Sequence, residues 1–415
     1  MLERRIPEWL RHAPTPGVRG FATLSGLEAV ARGMLISVMP LTVYTILQDA
    51  QIVSKVYFLV GLLSLFSALL VPWITRFIPR RVLYPLGCLS FATGSMLAIS
   101  GNPAAVIGGL AMITVATVLC FITLNAYLLD YISKSDLGRV ETSKLFYSAA
   151  GWALGPGLGV TLQAWWTPAP FLIAALAEIA MLVVFLYLRF GNGRLITKAK
   201  APPTNPLSFL PRFAMQPRLV AGWLFAVIRS CGWWVYVVYL PIFAVEAGLS
   251  QQLGGWLLSA TNATLFLTPF MLRWMQAHSV RTTVRVGFAA SGILFLVAWG
   301  ASGVPSVALA ALFFGSCALI LLDVSGGLPF LLAVKPSERT EMSAIYASYR
   351  DVSGVLTPGA AWLLLLVAPL TSIFAASGVA LLGCWVLAAR LHPKLGMARI
   401  AIQSEPEAPQ KASAA

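Results

Sequence analysis

Residues 21–47 read FATLSGLEAVARGMLISVMPLTVYTIL, an apolar run long enough to cross a bilayer that carries Glu28 and Arg32 near its middle. At ~1.5 Å per residue, Arg32 lies about 16 Å in from Phe21, close to the midplane of a hydrocarbon core ~30 Å thick. An arginine at a helix centre costs roughly 2.5–3.5 kcal/mol there, so it should face protein or water, and an intramembrane ionisable residue is a functional residue by default. The same text returns 197 residues later: Ala29-Val30-Ala31-Arg32 is echoed by Ala226-Val227-Ile228-Arg229 in another long apolar run.

Composition places both runs in a polytopic membrane protein. The 415 residues are 58% apolar and 11% charged, more apolar surface than a soluble domain could hide. The net charge of +14 would point to nucleic acid in a soluble chain. Here 25 of the 29 Lys and Arg fall in alternate connections between apolar runs, so the charge orients the protein in a membrane instead. By the positive-inside rule those connections are cytoplasmic, both termini are inside and the number of spans is even. The five cysteines all sit within apolar runs with no C-x-x-C, which argues against disulfides and a zinc site. His12, His278 and His392 sit in basic segments, so a proton path through the membrane must use carboxylates. The single N-x-[ST] match, Asn262-Ala263-Thr264, falls inside a span, consistent with a bacterial inner membrane. No metalloprotease, hydrolase, Walker A or EF-hand signature occurs, so no enzyme activity, cofactor or metal is expected, and uphill transport must run on a gradient.

Taken in order, the chain divides into a basic tail (1–20), a first half (21–189), a Pro-, Lys- and Arg-rich linker (190–218), a second half (219–390) and a polar tail (391–415). The predicted spans are 21–47, 54–74, 82–100, 105–129, 144–165 and 168–189, then 219–245, 252–273, 284–301, 306–333, 343–366 and 370–390. The halves repeat in one orientation. Pro72-Trp73-Ile74-Thr75-Arg76-Phe77 is matched by Pro269-Phe270-Met271-Leu272-Arg273-Trp274, again 197 residues on, and Arg139, Glu141, Ser143 and Ser148 by Arg339, Glu341, Ser343 and Ser348, 200 residues on. Parallel repeats of this kind are related by an axis along the membrane normal and enclose a cavity near the midplane.

With these residues in view, the sequence resembles the major facilitator superfamily, whose all-α fold sets twelve membrane helices in two six-helix halves. Residues 73–81 look like that family's basic first cytoplasmic motif, with Thr75 where an Asp is usual and Ile78-Pro79 where a Gly is usual. Gly151, Gly155-Pro156 and Gly159 resemble the antiporter motif of its exporters, with Val160 in place of the last Gly. The mid-membrane arginine of drug/proton antiporters has no counterpart in 121–129, which weighs against drug efflux. The resemblance implies that spans one and seven line the cavity; Arg76, Glu141, Arg339 and Glu341 are expected to have a gating or structural use, with Glu141 able to meet Arg76 or Arg80. Gly155, Pro156 and Gly159 then belong to a moving span.

Three groups of residues carry the functional expectation. Arg32 and Arg229 form a two-sided clamp for carboxylate or phosphate, which guanidinium binds in bidentate fashion; the plainer use is that Glu28 neutralises Arg32 and a carboxylate across the bundle neutralises Arg229. Asp323, with Arg350 and Asp351, can exchange a proton as a cavity opens and closes; the plainer use is a fixed Asp323–Arg350 ion pair. Glu28, Asp323 and Asp351 are the coupling candidates, and Glu178 is expected to be structural or interdomain. Arg350 and, among the aromatics, Tyr236 and Tyr349 are expected at the substrate, while Trp233 and Trp234 read as an interfacial belt. Pro40, Pro156, Pro241 and Pro358 are expected to let their spans bend. The whole reads as a monomeric secondary transporter in the lipid bilayer moving a small charged or zwitterionic metabolite, proton-coupled. A drug/proton exporter and a non-transporting assembly factor are the alternatives.

Overall fold

The computed structural model describes residues 17–132, 137–190, 209–335, 338–393 and 395. The first sixteen residues, most of the linker and the end of the C-terminal tail lie outside the described residues, as do the side chains of Arg76, Arg339 and Glu341. Among the described residues there is no strand. An apolar chain in lipid has no water to satisfy its backbone, and the helix is the solution that does so within one segment.

In the first half the helices are α1 (Val18–Leu47), α2 (Ala50–Phe77), α3 (Arg80–Ala98), α4 (Pro103–Tyr131), α5 (Leu137–Trp165) and α6 (Ala169–Phe190). Their connections are short because the starts are encoded locally. Asp49 caps α2 by accepting from the backbone N–H of Gln51 at 2.7 Å, and Asn102 caps α4 from Ala104 at 2.9 Å with Pro103 at the first helical position. In the second half α7 runs Pro217–Trp234, passes through a π turn at Val235–Tyr239 and continues as Leu240–Glu246. Helix α8 is Gln251–Ala263 and Thr268–His278 joined by a 3₁₀ turn, α9 is Val280–Gly300, α10 is Pro305–Ser325 followed by a short segment Leu328–Ala333, α11 is Arg339–Ala347 and Tyr349–Leu364, and α12 is Ser372–Ala388. Seven described helical stretches are long and apolar enough to cross a membrane.

All the predicted spans fall on helix, yet four predicted as continuous are broken. Three of the breaks stand just before a proline: the π turn before Pro241, the 3₁₀ turn Thr264–Leu267 before Pro269, and Gly326-Gly327 before Pro329. Proline lacks the N–H and its ring crowds the carbonyl four residues back, so the helix must rearrange one turn upstream. Pro40, Pro156 and Pro358 instead stay inside their α-helices.

Packing reproduces the repeat. In the first half α1 lies against α5 and α6, and α3 against α4 and α6; in the second α7 lies against α11 and α12, and α9 against α10 and α12. The halves meet through the equivalent pairs α2–α11 and α5–α8. Large apolar side chains such as Phe66, Phe146, Phe266 and Val367 remain exposed, the flank of an integral membrane protein.

Among the described residues, five side-chain hydrogen bonds between the halves are seen, all between the level of Arg32 and Arg229 and the end opposite the basic connections. Tyr44 donates to Glu246 Oε1 (3.1 Å), the Ser54 and Tyr239 hydroxyls are hydrogen-bonded at 2.9 Å, and Trp256 Nε1 donates to Thr161 (3.1 Å). The other two lie at Pro156, where Gly157 N–H donates to Ser259 Oγ at 2.8 Å and Asn262 Nδ2 to the carbonyl of Trp152 at 2.7 Å. Trp152 is the residue four before Pro156, so its carbonyl has lost its helical donor and Asn262 replaces it. The pairing joins the two halves at that end.

Candidate functional site

On α1, Arg32 Nη1 donates to Glu28 Oε1 at 3.0 Å, one turn back, and its guanidinium carbon sits 5.3 Å from the centre of the Trp152 ring on α5. The Arg32 side chain is 37% exposed, so the pair is partly open. Helix α5 comes this close because it is glycine-lined where it meets α1. A Cβ on Gly155 would stand 2.6 Å from the carbonyl carbon of Gly33, and one on Gly159 2.3 Å from the carbonyl oxygen of Met34.

On α7, Arg229 is buried with Nε 3.1 Å from Asp323 Oδ1 of α10, while its Nη1 donates to the Leu322 carbonyl at 3.3 Å. Trp233, one turn up the helix, donates its indole N–H to Asp323 Oδ2 at 3.0 Å, so each carboxylate oxygen has its own partner. Arg229 packs over the Tyr349 ring of α11 at 5.4 Å, and Arg350 over the same ring at 5.7 Å with its Nε donating to the Tyr349 hydroxyl. Arg350 also reaches the Phe121 ring of α4, across the halves, at 5.8 Å. Like Arg32, Asp323 is 37% exposed.

The two arginines therefore occupy matching environments. Arg32 lies on Trp152 and Arg229 on Tyr349, and each member of the second pair follows its counterpart by 197 residues. The carboxylates break the symmetry: Glu28 is local to Arg32, whereas Asp323 comes from another helix.

Several expectations are corrected. Asp323 pairs with Arg229 rather than Arg350, because α10 ends beside α7 at Gly326, where a Cβ would meet Arg229 Nη1 at 3.2 Å. Tyr236 does not share the open face of Arg229: it is 1% exposed and its hydroxyl is bonded to Thr261 at 2.8 Å, which bonds Ser316 in turn. Glu141 pairs with Lys144 of its own helix at 3.1 Å, and the Arg76 side chain that it was expected to meet lies outside the described residues. Asp351 is half-buried in the first turn after Ser348 and makes no ion pair among the described residues. Trp152, Trp233 and Phe121 are the site residues the sequence reading missed. Two carried a signal, Trp233 as the residue one turn after Arg229 and Trp152 as the partner of Tyr349 at the repeat offset.

Glu178 of α6 is 2% exposed with Oε2 unpartnered, and its carboxylate approaches Cys88 and Cys120 Sγ within 4.8 Å. These are the described side chains whose donors converge closely enough for a metal ion. The Cys120 thiol, however, is turned toward the Tyr84 carbonyl at 3.9 Å.

This arrangement of two repeated helical halves around paired charges is that of a membrane transporter. The chain belongs to the major facilitator superfamily, whose sequence profile matches residues 21–263. No curated protein matches it by sequence. Among solved structures it is similar to a POT family transporter in complex with 5-aminolevulinic acid, at 12% identity and a TM-score of 0.73, with 94% of this chain and 100% of that one covered. It is also similar to a peptide transporter POT in complex with sulfate, at 14% identity and a TM-score of 0.73 over 92% and 95% of the two chains. The nucleoside transporter NupG aligns at 13% identity and a TM-score of 0.69 over 90% and 99%. At these identities the likeness is one of fold.

Proposed function

We propose that the chain is a secondary active transporter that moves a small charged or zwitterionic metabolite by alternating access, coupled to protons through Glu28, Asp323 and Asp351. The observation that carries this reading is the repeat of an arginine laid on an aromatic ring, paired with a carboxylate and partly open, once in each half. A substrate carboxylate competes with Asp323 or Glu28 for guanidinium, and a substrate ammonium competes with the arginines for carboxylate. Protonating Asp323 loosens its hold on Arg229 and frees that arginine for an anionic group; deprotonation restores the pair and expels it. The halves 21–189 and 219–390 are the moving bodies, hinged about the far-side seam, with both termini cytoplasmic in a bacterial inner membrane and the protein working as a monomer.

The ligands named with the structural relatives, 5-aminolevulinic acid and sulfate, belong to the same chemical range. The exporter alternative rests on the glycines of α5, and close packing on α1 already gives those a use. The test is a thermal-shift screen of purified wild type beside Arg32→Ala and Arg229→Ala against anionic, zwitterionic and cationic metabolites. A ligand at 100 times its dissociation constant stabilises by ~2.7 kcal/mol. An anion or zwitterion that shifts wild type and neither variant supports the proposal. Shifts by lipophilic cations alone, equal in all three proteins, overturn it in favour of drug export.

A further inference from the structure

Away from the central charges, a second basic site lies on the flank of the second half. Arg281 and Arg285 stand one turn apart at the start of α9, a spacing at which like charges repel. Arg281 Nη2 donates to the Ala389 carbonyl at the end of α12 at 2.8 Å, and the Arg285 guanidinium lies 5.4 Å from the Trp385 ring centre on α12. Neither arginine has a carboxylate within ion-pair distance among the described residues, and the Nε of each is buried without an acceptor. With Thr282, Val286, Ala289, Trp385 and Pro393 they line an open cavity of about 330 Å³. Two uncompensated guanidinium groups around such a space call for an anion, and phosphate is the one their planar forks match.

The surroundings say where that phosphate comes from. Beyond the cavity the exposed side chains of α9 and α12 are apolar, Ile293 and Val297 on one and Val379 and Val386 on the other. The cavity thus sits where the basic end of the molecule meets its lipid-facing flank, with a tryptophan at the boundary, the level at which headgroups lie. Half its lining is apolar, which has a use for a glycerol backbone and acyl chains and none for a soluble anion. We propose that Arg281, Arg285 and Trp385 form a binding site for the phosphate headgroup of an anionic phospholipid, which bridges α9 and α12. Basic pockets between membrane helices on this side of a bilayer are of the kind that hold such headgroups.

The test is native mass spectrometry of the full-length protein in mild detergent with phosphatidylglycerol or phosphatidylcholine, for wild type, Arg281→Gln/Arg285→Gln, and Arg273→Gln as a basic control outside the cavity. Wild type and the control should retain phosphatidylglycerol over phosphatidylcholine, and the double variant should lose roughly tenfold or more of that retention. Equal retention of both lipids by wild type, or unchanged retention by the double variant, overturns the proposal. Should the double variant not fold, Arg285→Gln alone and the comparison of the two lipids in wild type decide. Millimolar inorganic phosphate forms the remaining arm. If it displaces the lipid and raises the melting temperature of delipidated wild type but not of the variant, the occupant is a soluble anion and the lipid assignment fails.

Discussion

Arg229 and Asp323 join α7 to α10 through a 3.1 Å contact in which the arginine is buried and the aspartate is not. That asymmetry makes Asp323 the member that water and protons reach. Removing Arg229 leaves a carboxylate that water already reaches, so Arg229→Ala should lower stability by less than the ~3–5 kcal/mol that breaking a fully buried pair costs. Asp323→Asn keeps the shape and removes the titrating group. In proteoliposomes Asp323→Asn should abolish uphill transport while sparing exchange, and uphill transport at the wild-type rate would remove Asp323 from the coupling step.

Trp233 supplies the second hold on that carboxylate. A hydrogen bond to a charged group contributes about 1.5–3 kcal/mol, so Trp233→Phe should cut uphill transport roughly tenfold or more with little loss of folded protein. A belt residue anchoring the helix in lipid would tolerate the change to phenylalanine, so wild-type transport in the variant would return Trp233 to that role.

The α1–α5 contact makes a sharper structural demand. A Cβ on Gly155 would stand 2.6 Å from the Gly33 carbonyl carbon, with backbone on both sides and nothing that can swing away. Gly155→Ala should therefore lower the melting temperature by an amount corresponding to ~1–3 kcal/mol of overpacking. Gly108→Ala, with nothing within 4 Å of the added carbon, should leave it unchanged.

Much of this was legible because the membrane makes the sequence strict. The apolar runs fixed where the helices lie, and the echo of Arg32 in Arg229 anticipated two matched sites. The partners were less readable. Glu28 lies one turn from Arg32, so its pairing is written in the local text, but Asp323 is 94 residues from Arg229 and Arg350 only 27 from Asp323. Choosing between those arginines needs the break at Gly326, which sets where α10 ends. Tyr236 was misplaced for a related reason, since the π turn at Val235–Tyr239 shifts the register by which residues beyond Arg229 share its face. Aromatic residues carry no mark of their depth, and so Trp233 read as lipid-facing although its indole N–H had a carboxylate to meet.

At the seam, Asn262 occupies the carbonyl that Pro156 leaves unpaired. An unsatisfied buried group costs about 1–3 kcal/mol, and opening the far side to water would relieve it. Asn262→Ala should therefore raise the far-side-open population roughly tenfold. With Ser54→Cys as a reporter beside Tyr239, alkylation from the far side should accelerate by that factor above the native cysteine background. No change in labelling would mean that Asn262 does not hold the seam.

Glu338, in the connection before α11, is held by Arg212 and by Gln216, whose Nε2 donates to Oε2 at 3.1 Å. The hydrogen bond from Gln216, with the nearby guanidinium, holds its carboxyl below the usual carboxylate range. A carboxyl whose folded value is depressed adds stability that is present above its unfolded value, ~4.3 for glutamate, and is lost as the pH falls through the folded value. The clasp joining 210–216 to this connection should thus be constant from neutral pH down to about 5 and release only below ~4.3. Hydrogen exchange of the 210–216 amides, corrected for intrinsic rates, should show protection lost only in that acid range in wild type. In Glu338→Gln protection should be weaker at neutral pH and flat through the acid range; a wild-type release already near pH 6 would assign the clasp to another group.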